Sequence, residues 1–134
     1  MTHLAGKFES VILCEDIRDE VGNKKSLIGV FSGDIIVTAL PAQLFVAVFM
    51  VYRPNTGRDC EASFELRLMQ DDIEIVKGGI TSQILAGQEA VLVLPKALMR
   101  VENEVILRLL ISVNKEPEEE IIKKRIFLMV QPSF

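Results

Sequence analysis

In "ASFELRLMQ", Ala62 to Gln70, the apolar residues Phe64, Leu66 and Leu68 alternate with Ser63, Glu65 and Arg67. Successive side chains of an extended strand point to opposite faces, so this spacing predicts a strand with one face in a core and the other in water. The same two-residue period returns in much of the chain, in runs rich in Val, Ile and Phe that are separated by turn residues, and it constrains the fold to β-structure.

From Val105 the odd positions Val105, Leu107, Leu109, Ile111 and Val113 are all apolar, while the even ones include Arg108 and Ser112. After the charged turn "NKEPEEE", Asn114 to Glu120, the residues Ile122, Ile126, Leu128 and Val130 share a face that only Lys124 interrupts. These two segments are expected to pair as a C-terminal hairpin with Pro117 at its tip, where a missing N–H takes nothing from the ladder. "QDD" reads as an acidic turn between Ala62–Gln70 and the alternating "IEIVK", which makes a second hairpin.

"LFVAVFMVY", Leu44 to Tyr52, is apolar on both faces and bounded by Pro41 and "RPNTG". Its β-branched and aromatic content predicts a buried strand. "EAVLVLP" gives another short strand. "KALMRVEN", Lys96 to Asn103, has the composition of a helix former and is expected to make at most one short helical turn. The runs number about eight, and no linker or low-complexity tract divides the 134 residues. The expected architecture is one all-β domain, an antiparallel β-sandwich of immunoglobulin-like or C2-like type.

Composition narrows the function. Fifteen Lys and Arg against nineteen Asp and Glu leave a net charge of −4, the wrong sign for a protein that neutralises phosphates, so nucleic acid is not the expected partner. No apolar run approaches the length of a membrane span, and "MTHLAGKFES" has no apolar core of a secretory signal. A cytoplasmic protein with two free thiols, Cys14 and Cys60, is the expectation, and Cys14, with no helix N-terminus or cation beside it, reads as a buried structural residue. The apolar fraction is 49% before glycine is counted, which is high for a lone domain and points to apolar surface covered by a partner.

Chemistry-bearing patterns are sparse. The one histidine, His3, lies at the chain terminus, so acid–base or triad chemistry has little to recruit. "GVFSG" has the wrong spacing for a nucleophile elbow, and Gly78–Gly79 lacks the residues of a phosphate loop. Two cysteines and one histidine do not make a structural zinc site. Asp34, Asp71 and Asp72 are calcium candidates that would converge only if their loops share one end of a sandwich; the simpler reading is solvated acidic turns. No cofactor and no small-molecule substrate is implied.

In "IIKKRIF", alternation sends Lys124 to the face opposite Lys123 and Arg125, which breaks up any phosphate patch. Phe127 and Met129 share that face with Lys123 and Arg125. Together with the two-faced strand containing Phe45 and Phe49, they suggest a second apolar surface, and these four residues are the expected interface.

"ILCEDIRDEVGNKKSLIGVFSG", Ile12 to Gly33, reads as a strand, a turn in which Gly22 and Asn23 tolerate positive φ, and a return strand. Gly29 inside the return strand signals a bulge or a close approach. Arg18 sits between Asp16 and Glu20 on one face, whereas Glu15 falls on the face of Leu13 and Ile17. The pattern Cys14-Glu15-Asp16-x-Arg18, then Gly22 to Lys24, Ser26 to Val30, Pro41 and Leu44, resembles a family of small, uncharacterised bacterial proteins over about the first third of the chain. The resemblance implies a bacterial origin and a small β-sandwich and carries over no catalytic residue.

The function expected is therefore non-enzymatic: an interaction module that forms a homo-oligomer or docks onto a protein partner. Two alternatives differ in class. One is an enzyme built on carboxylates from the Glu15/Asp16 and Asp71/Asp72 regions, with or without a metal. The other is a structural subunit of a larger, phage-like assembly.

Overall fold

The computed structural model describes residues 6–129; His3 and Val130 lie outside them. Nine strands follow one another: β1 (Gly6–Glu20), β2 (Lys24–Val30), β3 (Ile35–Val37), β4 (Ala42–Pro54), β5 (Cys60–Gln70), β6 (Ile73–Ile84), β7 (Ala90–Val101), β8 (Val105–Val113) and β9 (Glu119–Leu128). They form a four-stranded sheet of order β2-β1-β4-β7 and a five-stranded sheet of order β3-β9-β8-β5-β6. All neighbours are antiparallel except β3, which runs parallel to β9 through Ile35–Ile126 and Val37–Leu128. The set β1-β4-β7 against β9-β8-β5-β6 has the strand order of an immunoglobulin-like sandwich.

The core fills the space between the sheets. Leu13, Val46, Val48, Met50 and Tyr52 face Phe64, Leu66, Leu68, Leu107, Leu109, Ile111 and Ile126, all buried. Both predicted hairpins form: β5 pairs β6 across Asp71–Asp72, and β8 pairs β9 with Pro117 in the connection. β4, apolar on both faces, is central in its sheet between β1 and β7.

Three details refine the expectation. There are nine strands, because the three-residue β3 is too short to show a period. "KALMRVEN" holds no helical turn; it continues β7, where pairing to β4 from Ala42–Val101 to Val46–Ala97 overrides helix propensity. In "IEIVK" the ladder decides which residues face the core. The ladder shifts between Leu68–Val76 and Met69–Glu74, so Val76, Ile80 and Ile84 face the core while Ile73 and Ile75 are exposed.

The β1–β2 hairpin accounts for its own sequence. Gly22 has φ 91° and Asn23 has φ 57°, the left-handed turn that only such residues adopt easily. β1 leaves β4 after the pair Cys14–Ala47 and continues with β2 alone to Glu20. Glu15 is therefore exposed although period 2 places it on the core face. Its side chain lies where a Cβ of Gly29 would stand, and Gly29 itself has φ 66°, so the expected close approach is made by a carboxylate stem.

Candidate functional site

The two outer faces of the sandwich follow from pairing and alternation. On the four-stranded sheet Phe45 pairs with Leu98, Phe49 with Val93 and Ile12, and Val51 with Val91. Phe45 is 45% exposed, Leu98 57% and Val91 53%, with Val30 and Ile28 of β2 also exposed on this sheet. Beneath them, Ala47 and Cys14 are small and fully buried. The Cys14 thiol donates to the carbonyls of Asp16 and Ala47, and burial pushes its pKa above the ordinary thiol value.

Charge appears at the margins of this face. Lys96 Nζ lies 4.9 Å from the Phe45 ring centroid. Arg53 pairs with Glu9 and Glu89 at one end, and Arg100 with Glu102 at the other.

The outer face of the five-stranded sheet is ionic. Arg67 donates to both carboxylate oxygens of Glu118, at 2.6 and 2.7 Å, and also pairs with Glu74. Arg108 donates to Glu120 at 2.6 Å. Arg67 stands directly opposite Leu110, and Arg108 opposite Met69. The buried Leu110 and Met69 thus lie among arginine stems whose heads reach their carboxylates. The guanidinium holds the Glu118 carboxyl below the ordinary carboxylate range, chiefly by hydrogen bonding.

The four expected interface residues do not make one surface. Phe45 and Phe49 share the outer face of β4. Phe127 belongs to the opposite sheet, half-buried beside Ile36 of β3, with the Arg125 guanidinium 4.4 Å from its ring centroid. Met129 follows β9, 46% exposed, its N–H donating to the Val37 carbonyl. Alternation along one strand orders that strand's two faces; it carries no information about which sheet the strand joins.

Nor do the acidic candidates converge. Asp34 accepts from the Arg125 N–H and pairs with its guanidinium, whereas Asp71 accepts from the Ile106 N–H. They share an end of the five-stranded sheet, yet β9 and β8 separate them, about 14 Å at ordinary strand spacing. Among the described residues no group of three or more His, Cys, Asp or Glu is placed to hold a metal ion. Asp71 and Asp72 line a shallow depression with Arg108, Glu120 and Lys123, to which Glu15 and Asp16 contribute nothing.

A feature that alternation does not reveal lies at the end of the sandwich away from the β1–β2 tip. Phe8, Tyr52 and Phe64 pack together: Tyr52 and Phe64 meet edge to face with centroids 5.0 Å apart, and the Phe8 and Tyr52 rings are tilted by 58° with centroids 5.1 Å apart. Tyr52 is 1% exposed and its hydroxyl has no hydrogen-bond partner among the described residues. Burial, with Glu116 adding to it, pushes the phenol pKa up to about 12. Beside it a cavity of about 360 Å³ opens between the sheets, bounded by β1, β4, β8, β9 and the turn that carries Glu116 and Pro117.

No protein-family model matches the chain, and no curated protein is significantly similar to it. Among the described residues no helix is long and apolar enough to cross a membrane.

Proposed function

We propose that this protein works by association, as a non-enzymatic interaction module that pairs with a second copy of itself through the outer face of β4 and β7. The observation that carries the reading is the contiguous apolar row of Phe45, Leu98, Phe49, Val93, Val51 and Val91 on that face. Exposed apolar area of this kind is disfavoured in water and marks a binding surface. A second copy suits it because cations and anions alternate along its margin, so the margin can meet itself without like-charge repulsion.

Light scattering on the eluting protein tests this. A mass of twice the chain is expected for the wild type at micromolar concentration, and Phe45→Glu with Leu98→Glu should elute as a folded monomer. A wild type that stays monomeric across the concentration range defeats the proposal. So does a doubly substituted protein that still pairs.

A further inference from the structure

We infer that the free edge of β6 is a second contact between copies of this protein, formed by antiparallel pairing of β6 with β6 of a second copy about a two-fold axis at Ile80. The strands that end the two sheets are β2 and β7, and β3 and β6. The first three are blunted, as edges that stay unpaired usually are. β2 carries Lys24, Lys25 and the left-handed Gly29, β7 has Pro95 and Lys96 where its ladder with β4 shifts, and β3 is 3 residues long. By contrast β6 is 12 residues long, has no proline, and carries no charge from Gly78 to Ile84. Among the described residues no strand lies along its outer side.

The neighbouring strand fixes where the backbone groups of that edge point. The Asn114 N–H donates to the Ser63 carbonyl at 2.8 Å, and the Ser63 N–H donates to Asn114 Oδ1 at 2.9 Å, so both Ser63 groups are turned away from β6. Ser63 stands opposite Thr81, and in an antiparallel ladder the two residues of such a pair point away from each other. Thr81 therefore turns its N–H and C=O to the free edge. Alternation adds those of Lys77, Gly79 and Gln83, all exposed, and no shift interrupts the ladder from Val76 to Ile84.

A two-fold axis at Ile80 makes this edge its own complement. Gly79 meets Thr81 of the second copy and Lys77 meets Gln83, so free N–H and C=O groups face one another in every pair. This axis is the one that matches all of these outward residues with one another. On the inner side, where Val76, Ile80 and Ile84 pack against the core, Val76 meets Ile84 and Ile80 meets its own counterpart. Charge fits the same register. Gln83 Nε2 donates to Glu61, its cross-strand neighbour on β5, so Lys77 of one copy comes beside Glu61 of the other. Neither Lys77 nor Glu61 has an ion-pair partner among the described residues, so the lysine that would otherwise guard this edge gains a carboxylate by pairing.

A lone strand edge buries little area, so a Kd on the order of 0.5 mM is expected, and the contact is empty at the micromolar concentrations that test the β4–β7 face. It is read in the Phe45→Glu, Leu98→Glu protein by light scattering up to about 2 mM, where the mean mass should rise from one chain toward two. Over that range hydrogen exchange at the Lys77, Gly79, Thr81 and Gln83 amides should slow several-fold, while Gly78, Ile80 and Ser82 are protected throughout. Thr81→Pro gives up only an outward N–H, and Gly79→Lys has room, its nearest contact being the Phe64 carbonyl at 3.6 Å. Each should weaken association at least about tenfold in a protein that still folds. Lys77→Glu should weaken it about threefold, and adding Glu61→Lys should restore it. A mass that stays at one chain, association that Thr81→Pro and Gly79→Lys leave intact, protection gained along β2 or β7 instead, or a charge exchange that restores nothing each overturns the proposal. The face and the edge belong to different sheets, so either contact can fail alone. A wild type that is monomeric at micromolar concentration and pairs through β6 near 1 mM sinks only the face, and a micromolar pair that grows no further sinks only the edge.

Discussion

On the outside of β5 and β8, Leu110 and Met69 are buried among Arg67 and Arg108, whose heads pair with Glu118, Glu74 and Glu120. On the outside of β4 and β7, Phe45, Leu98 and Val91 stand in solvent, with Lys96 placed over the Phe45 ring. Both faces belong to antiparallel ladders with the same backbone spacing, and both contain large apolar side chains. What separates them is the neighbour. Where the partner strand offers a long charged residue, the apolar side chain is covered within the chain; where it offers another apolar residue, the pair is left for something outside the chain to cover.

The sharpest way to break this contrast is to truncate one apolar residue on each face. Leu110→Ala should destabilise the protein by about 2 kcal/mol or more in denaturant unfolding, because a buried side chain is removed from packed surroundings. Leu98→Ala should change the stability of the monomer by less than about 0.5 kcal/mol, because its side chain is already in water. Equal losses would show that both faces are covered alike.

Next in size is the edge of the apolar sheet. Gly29→Ala should cost about 1 kcal/mol, since an alanine would hold a left-handed conformation and displace the Glu15 side chain. Urea unfolding reads the loss, and no loss would mean that the β1–β2 strands adjust independently of the sheet.

A smaller effect belongs to the ionic face alone. The folded protein holds the Glu118 carboxyl below its ordinary value of 4.5, so the stabilisation from Arg67 is complete above that pH and is lost as pH falls through the lowered value. Arg67→Gln should make the decline in thermal midpoint below pH 4.5 shallower. An unchanged acid slope would remove this pair from the account of the face. Smallest of all is the response to salt. Raising NaCl to about 1 M, where charges are screened within about 3 Å, should lower the midpoint of the monomeric double substitution slightly and leave wild-type pairing undiminished. Pairing that weakens with salt would mean that the margin charges, not the apolar row, hold the copies together.

The strands of the central ladders were legible because their residues alternate without interruption, as in Phe64–Leu68 and Leu107–Ile111. What was not legible has local causes. Alternation in "IEIVK" does not say which face meets the core; one extra residue in the ladder beside Met69 turns Ile73 and Ile75 to solvent. "KALMRVEN" looks helical because propensity counts only a residue's own backbone, whereas β4 supplies a ladder that a helix would forgo. Glu15 looks misplaced until β1 is seen to leave β4 one residue earlier. The Tyr52 cavity gave no signal at all, since it depends on the end of β4 meeting the start of β1 and the β8–β9 turn, three segments far apart in the chain.

By itself, then, the order of residues determined that this chain makes strands, which residues of each strand share a face, and where the Gly22–Asn23 and Asp71–Asp72 turns fall. Those properties depend on the two-residue period and on local backbone sterics. Only the tertiary structure decided that Phe45 and Phe127 belong to opposite sheets, that Asp34 and Asp71 stand three strands apart, and that the Tyr52 hydroxyl is buried against Gly6. Strand order and sheet packing are set by which apolar faces bury each other best, and that competition among distant segments leaves no trace in any one of them.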